Sequence, residues 1–243
     1  MKLAGRVALV TGAGRRVGQA IALALGERGM RIAVHHHTSA DGANATVSQL
    51  EAAGGEGQTF KADLSRADAP QALVDQVVSS LGALDVLVNS AAVMVRTPFG
   101  DVTPEQWDSM MALNLRAPFF LAQAAAPHLR KASGVIINIA DLAGFESWPA
   151  YVPHGISKSA VVHMTRSLAR VMAPEVRVNG VAPGTVLLPE NWSTEADERL
   201  RMTTPLSRTG SPDDVSATVV FLLESDYITG ETIIVDGGRH VRT

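Results

Sequence analysis

The feature that most constrains this chain is a set of short apolar runs recurring between longer helical stretches. Val7-Ala8-Leu9-Val10 contains no polar residue, and Val135-Ile136-Ile137-Asn138-Ile139 contains one. A strand with one wet face alternates apolar and polar residues, so an unbroken run marks a strand buried on both faces. The same reading places strands at Arg31–Val34, Gln58–Ala62, Asp85–Val88, Val176–Asn179 and Thr232–Val235. Helical stretches separate them: Gln19–Arg28, Ala43–Ala53, Ala69–Leu81, Thr103–Leu129, Pro153–Met172, and a helix from the Ser211-Pro212-Asp213-Asp214 cap to Glu224. Strand and helix in regular succession predict a parallel sheet with right-handed crossovers. The expected fold class is α/β, a doubly wound parallel sheet of about seven strands with helices on both faces. No linker, repeat or low-complexity tract interrupts residues 1–243, so a single domain is expected, with a substrate-covering loop at about 185–210.

Sheets of this kind bind ligands at the carboxyl ends of their strands. Gly12, His37, Asp63, Asn89, Asp141 and Gly184 all fall at such ends. Thr11-Gly12-Ala13-Gly14-Arg15-Arg16-Val17-Gly18 joins the first strand to the first helix. A glycine turn there lets backbone N–H groups approach a phosphate, and the helix dipole favours its charge. The arrangement predicts a Rossmann-type dinucleotide site. The second strand ends in His35-His36-His37-Thr38-Ser39, with no acid before Asp41. An acid would accept from a ribose 2′-hydroxyl. Arg15, Arg16, His37, Thr38 and Ser39 instead offer cations and hydroxyls, which suit a 2′-phosphate. NADP(H) is therefore the expected cofactor. Consecutive histidines on a strand alternate faces and do not converge on one ion, so no metal is expected. Asp63 can accept from an adenine amino group or cap the next helix. The small residues of Asn89-Ser90-Ala91-Ala92 let a dinucleotide lie against the backbone. Asn114 falls in mid-helix, where an asparagine is mildly unfavourable and implies a specific hydrogen-bonding task.

Composition narrows the partners. With 46% hydrophobic and 19% charged residues the chain can build a large core. A net charge of −3 without a polybasic run argues against a nucleic-acid or anionic-membrane surface. The absence of cysteine excludes a disulfide framework and fits a reducing cytoplasm. The apolar run near Met1 is too short for a signal-peptide core or a membrane span. A small-molecule substrate is expected.

Tyr151-Val152-Pro153-His154-Gly155-Ile156-Ser157-Lys158 opens a long helix, with Pro153 in its first turn. His154 and Lys158 are four apart and share a face. A titratable ring one turn before a lysine is an acid/base arrangement wherever a substrate lies over it.

Taken in order, Thr11-Gly12…Gly18, Asp63-Leu64, Asn89-Ser90-Ala91-Ala92, Asn114, Lys158, Pro183-Gly184 and Tyr227-Ile228-Thr229-Gly230…Val235-Asp236-Gly237-Gly238 resemble the short-chain dehydrogenase/reductase family over nearly the whole chain. Within it the chain looks most like the pteridine reductases. Their glycine turn also carries an arginine in place of the third glycine, here Arg16, and their His-x-His-Arg-Ser segment is similar to His35–Ser39, with Thr38 where they have arginine. The resemblance implies a homotetramer and NADP(H) held by Gly12, Arg15, Arg16, Val17, His37, Thr38, Ser39, Asp63, Leu64, Asn89, Ala91, Lys158, Pro183, Gly184 and Val186. It implies a catalytic set of Asn114, Asp141, His154 and Lys158. The family places a tyrosine four residues before the lysine; this chain has His154. The family's serine position holds Asp141, as in pteridine reductases. Met94 replaces a pterin-stacking phenylalanine, and Leu188 replaces a threonine that holds the nicotinamide amide.

Three functions fit these residues. One is an NADPH-dependent reductase of a pterin-like or other small carbonyl or imine compound, with Asp141, His154 and Lys158 delivering the proton. Tyr151 is an outside candidate for the donor. Another is an NADP(H)-binding homologue with little or no reductase activity, because imidazole reaches roughly 2 Å less far than a tyrosine hydroxyl and such misplacement is costly to rate. The third is a different acid/base reaction in the same pocket. Met94, Phe145, Trp148, Leu187 and Trp192 are the expected pocket walls, suited to a flat or apolar ligand.

Overall fold

The computed structural model describes residues 1–186 and 193–241. Its strands are β1 (Val7–Val10), β2 (Arg31–His36), β3 (Glu56–Lys61), β4 (Val86–Asn89), β5 (Val135–Ile139), β6 (Arg177–Pro183) and β7 (Thr232–Val235). They form one sheet in the order β3-β2-β1-β4-β5-β6-β7, parallel throughout. The helices are α1 (Arg16–Gly26), α2 (Ala40–Ala52), α3 (Ala69–Leu81), α4 (Pro104–Met111), α5 (Ala117–Ala132), α6 (Val152–Met172), α7 (Thr194–Met202) and α8 (Pro212–Glu224).

The apolar runs explain the layers. Ala8 and Val10 of β1, Val86 and Val88 of β4, and Val135 and Ile137 of β5 pack with Ile21 and Leu25 of α1 and Val215 and Val219 of α8. Their alternating neighbours Leu9, Leu87 and Ile136 pack on the other face with Leu73 and Val77 of α3 and Leu121 and Leu129 of α5. Successive side chains of a strand point to opposite faces, so a strand covered on both must be apolar at every position. The strand order reverses between β1 and β4, which opens a crevice at their carboxyl ends.

Most elements shift by a few residues from the sequence reading, and three of the differences bear on the site. β2 runs on through His36, because ladder pairing with β3 continues to Lys61. β6 extends to Pro183, paired with Val235 of β7. The stretch expected as one helix from Thr103 to Leu129 is instead α4 and α5 joined by a π turn, Ala112–Arg116. A π turn inserts one extra residue into the helical register and re-aims the side chains it carries. Leu187, Leu188 and Trp192 lie outside the described residues. Among the described residues no helix is long and apolar enough to cross a membrane.

Candidate active site

The glycine turn after β1 is shaped by close approach. Gly12 has φ of +67°, and a Cβ there would stand 3.0 Å from the Ala91 Cα. A Cβ on Gly18 would stand 2.3 Å from the Gly12 carbonyl oxygen, so only glycine lets α1 begin against the turn. Arg16 occupies the left-handed region with φ of 55°, a conformation that disfavours a side chain. No side chain caps α1, whose N-cap is Arg15. The end of β4 is tied to the turn by Thr11, whose Oγ1 accepts from the N–H groups of Ser90 and Ala91. A glycine turn, an uncapped helix N-terminus and small residues alongside fit a dinucleotide pyrophosphate.

At the end of β3, Asp63 is held in an Asx turn. Its Oδ1 accepts from both the N–H and the hydroxyl of Ser65, and these bonds keep its carboxyl below the usual range. His37 Nδ1 lies 3.9 Å from the same oxygen. His37 and Thr38 are exposed beside half-buried Ser39, the N-cap of α2. His37, Thr38, Ser39 and Asp63 thus lie together at one edge of the crevice.

The second cluster sits across the crevice. The π turn aims Asn114 at the strand-like segment after β4. Its Oδ1 accepts from the Val93 N–H at 2.8 Å, and its Nδ2 donates to the Val93 carbonyl at 2.9 Å and to Ser157 Oγ at 3.1 Å. Val93 also fixes His154: its carbonyl lies 3.3 Å from Nδ1. A carbonyl only accepts, so Nδ1 carries the hydrogen. The other ring nitrogen, Nε2, is buried without a hydrogen-bond partner and lies 3.7 Å from Asp141 Oδ2. Asp141 spends its other oxygen on the Ala143 N–H at 2.8 Å, capping a short turn. Lys158, 4% exposed, donates from Nζ to the Ile139 carbonyl at 2.8 Å. Burial lowers its pKa from 10.5 to about 8, opposed by the charge of Asp141.

Asn114, Asp141, His154 and Lys158 are therefore brought together as the sequence suggested. Ser157 and the backbone groups of Val93 and Ile139 belong to the same cluster and carry no motif of their own. Tyr151 is the N-cap of α6, with its ring edge-on to Trp148 at 6.3 Å. Met94 and Phe145 are exposed, and Trp148 is half-buried. The loops that carry them are joined by the Thr97 N–H to Ala150 carbonyl bond. Asn89 donates to Asn138 within the sheet, which leaves its Oδ1 buried and unpartnered at the end of β4. Pro183 ends β6, while Gly184 packs its Cα against Asp236 and Val186 against Gly210.

Known proteins resemble this chain in sequence and fold. A family profile described as enoyl-(acyl carrier protein) reductase matches residues 12–240. A 3-oxoacyl-(acyl-carrier-protein) reductase of Staphylococcus aureus is 37% identical over 96% of this chain and 98% of its own. A 3beta-hydroxysteroid dehydrogenase 1 of Eggerthella lenta is 34% identical over 97% and 94%. The structure of a Serratia marcescens short-chain dehydrogenase/reductase, a double mutant, superposes with a TM-score of 0.92 at 34% identity, over 99% of this chain and 100% of that one. A gluconate 5-dehydrogenase from Burkholderia cenocepacia, solved with NADP and tartrate, does so with a TM-score of 0.92 at 29% identity, over 100% and 98%.

Proposed function

The chain belongs to the short-chain dehydrogenase/reductase family, and from that premise we propose that it is an NADPH-dependent reductase of a small carbonyl or imine compound, in which Asp141 and His154 deliver the proton. Its NADP-dependent oxidoreductase class rests on the same relatives. The observation that carries the catalytic reading is the buried, unpartnered Nε2 of His154, 3.7 Å from Asp141 Oδ2. With Nδ1–H directed at Val93, a neutral ring would set the lone pair of Nε2 against a carboxylate. Among the described residues nothing else bonds Nε2, so Asp141 is the acid/base group it faces. In this reading a proton passes from Nε2 through Asp141, the more exposed of the two, to a substrate oxygen or nitrogen. Lys158 donates one hydrogen to Ile139 and has further donors for ribose hydroxyls. Bound NADPH would supply the hydride. Gly12, the α1 N-terminus, Ala91 and Asn89 fit its pyrophosphate and nucleosides, and Arg15, Arg16, His37, Thr38 and Ser39 its 2′-phosphate.

The relatives are named for oxoacyl, hydroxysteroid and gluconate chemistry, all carbonyl–alcohol interconversions. A flat, pterin-like substrate is favoured by Met94, Phe145 and Trp148 on the rim and by the His35–Ser39 segment. A homotetramer and a cytoplasmic location complete the reading. The depth of His154, 2% exposed, favours a second one: an NADP(H)-binding homologue with little turnover. Stopped-flow oxidation of NADPH across pterins, quinones, ketones and 3-oxoacyl thioesters separates the two. The reductase is expected to turn over at least one class, and His154→Ala to lower kcat by about a hundredfold. Tight NADPH binding with no turnover, together with activity created by His154→Tyr, would establish the second reading instead.

A further inference from the structure

Of the two histidines of the His35–His37 run that the site chemistry leaves unused, His35 is the more constrained. It lies in β2, 2% exposed, between the glycine turn and the end of β3. Its Nδ1 is 3.1 Å from the Gly12 nitrogen, which donates. Its Nε2 is 3.1 Å from the Ala62 carbonyl, which accepts. Its own carbonyl accepts from the Ala13 N–H at 2.9 Å. Gly12 can only donate and Ala62 can only accept, so both bonds form only in the neutral ring with hydrogen on Nε2. A second proton on Nδ1 would oppose the Gly12 N–H and break the tie.

We infer that His35 is a positioning residue for the cofactor: its neutral ring fastens the glycine turn to the ends of β2 and β3, and its protonation frees the turn and weakens NADP(H) binding. The inference rests on the assignment of NADP(H) to this crevice. Gly12 is where the fastening matters, because its Cα is packed on Ala91 and its carbonyl on Gly18, so its position sets the start of α1. Ala62 leads directly into Asp63, so the same ring joins the pyrophosphate side of the crevice to the adenosine side. Every element packed around the ring carries charged or titratable groups. His36 on its own strand and His37 just past it act on the ring electrostatically, and the neighbouring elements carry Lys61 and Asp63 at the end of β3 and Arg15 and Arg16 in the turn. Burial lowers the pKa of the ring to about 4; the bond to Ala62 opposes this, and the charges of His36 and His37 add to it.

NADPH titrations of the full chain from about pH 8 to pH 4 test this, with His35→Asn and His35→Phe beside the wild type. The wild type is expected to lose about tenfold or more in affinity as the pH falls toward 4. His35→Asn keeps an acceptor for Gly12 but cannot titrate, so it should bind somewhat more weakly at neutral pH and show no such acid step. His35→Phe should bind about tenfold more weakly at every pH. An acid step of undiminished size in His35→Asn would overturn the inference. Imidazole nitrogen NMR of the wild type reads the tautomer independently of any variant's folding, and hydrogen on Nδ1 would also overturn it. Failure of the wild type to bind NADPH at neutral pH would instead remove the cofactor assignment beneath it.

Discussion

Lys158 shows how a single residue trades stability for chemistry. Its buried ammonium is disfavoured in the fold, which lowers its pKa from 10.5 to about 8. Between those values the unfolded chain binds more protons than the folded one, so stability rises with pH across that window. Below it the wild type carries a cost on the order of 3 kcal/mol, reduced by the bond to Ile139. Lys158→Met is expected to abolish turnover and to raise the unfolding free energy at neutral pH by about 2 kcal/mol. That gain should fade toward pH 10.5, and urea titrations at several pH values measure it. Arg16 illustrates the same tension in the backbone. Glycine takes its φ of 55° without penalty. Arg16→Gly should therefore fold well yet bind NADPH about tenfold more weakly, with NADH unaffected, as equilibrium titration would show. The places of these two residues were legible because their motifs fix their register. The fastening by His35 was not, since a bond to the Gly12 N–H and another to the Ala62 carbonyl depend on backbone groups that every residue possesses.

At the scale of elements, sequence reading found the strands by their unbroken apolar character and the helices by their length. It placed Ala69–Leu81 and Val135–Ile139 at their observed limits. It missed the π turn at Ala112–Arg116, because an inserted residue leaves the surrounding helical pattern intact. The only trace was Asn114 itself, an unfavourable residue for a helix interior. The turn turns that residue toward Val93 and Ser157, joining the segment after β4 to helix α6. Asn114→Ala should leave the Val93 N–H without its side-chain acceptor and remove two further bonds. We expect a loss of about 2–3 kcal/mol, read as a lower urea midpoint with an unchanged slope. Turnover should fall as well, because Val93 also orients the ring of His154.

At the scale of the whole molecule, two apolar faces stand uncovered among the described residues. One follows α4, the π turn, α5 and α6, where Trp107, Phe119 and Phe120 are exposed beside a groove of about 780 Å³ lined by Met111, Leu115 and Met164. The other lies on α8 and the segment before β7, where Phe221 is half exposed and Tyr227 almost fully so. Isolated exposed apolar residues are ordinary, but clusters on a helix face mark contact surfaces. Each face belongs to a different side of the sheet; two faces that each paired with their own copy would give the proposed homotetramer dihedral symmetry. The sequence reading reached a homotetramer only through resemblance, since periodicity shows which residues leave the core and not what covers them. Light scattering should give a mass about four times the 25.6 kDa of the chain. Replacing both Phe119 and Phe120 with glutamate sets like charges against each other across the first face alone. That variant should run as a dimer while the sheet, and with it NADPH binding at the far crevice, survives. A wild type that stays monomeric at micromolar concentration would show that neither face is a contact between copies.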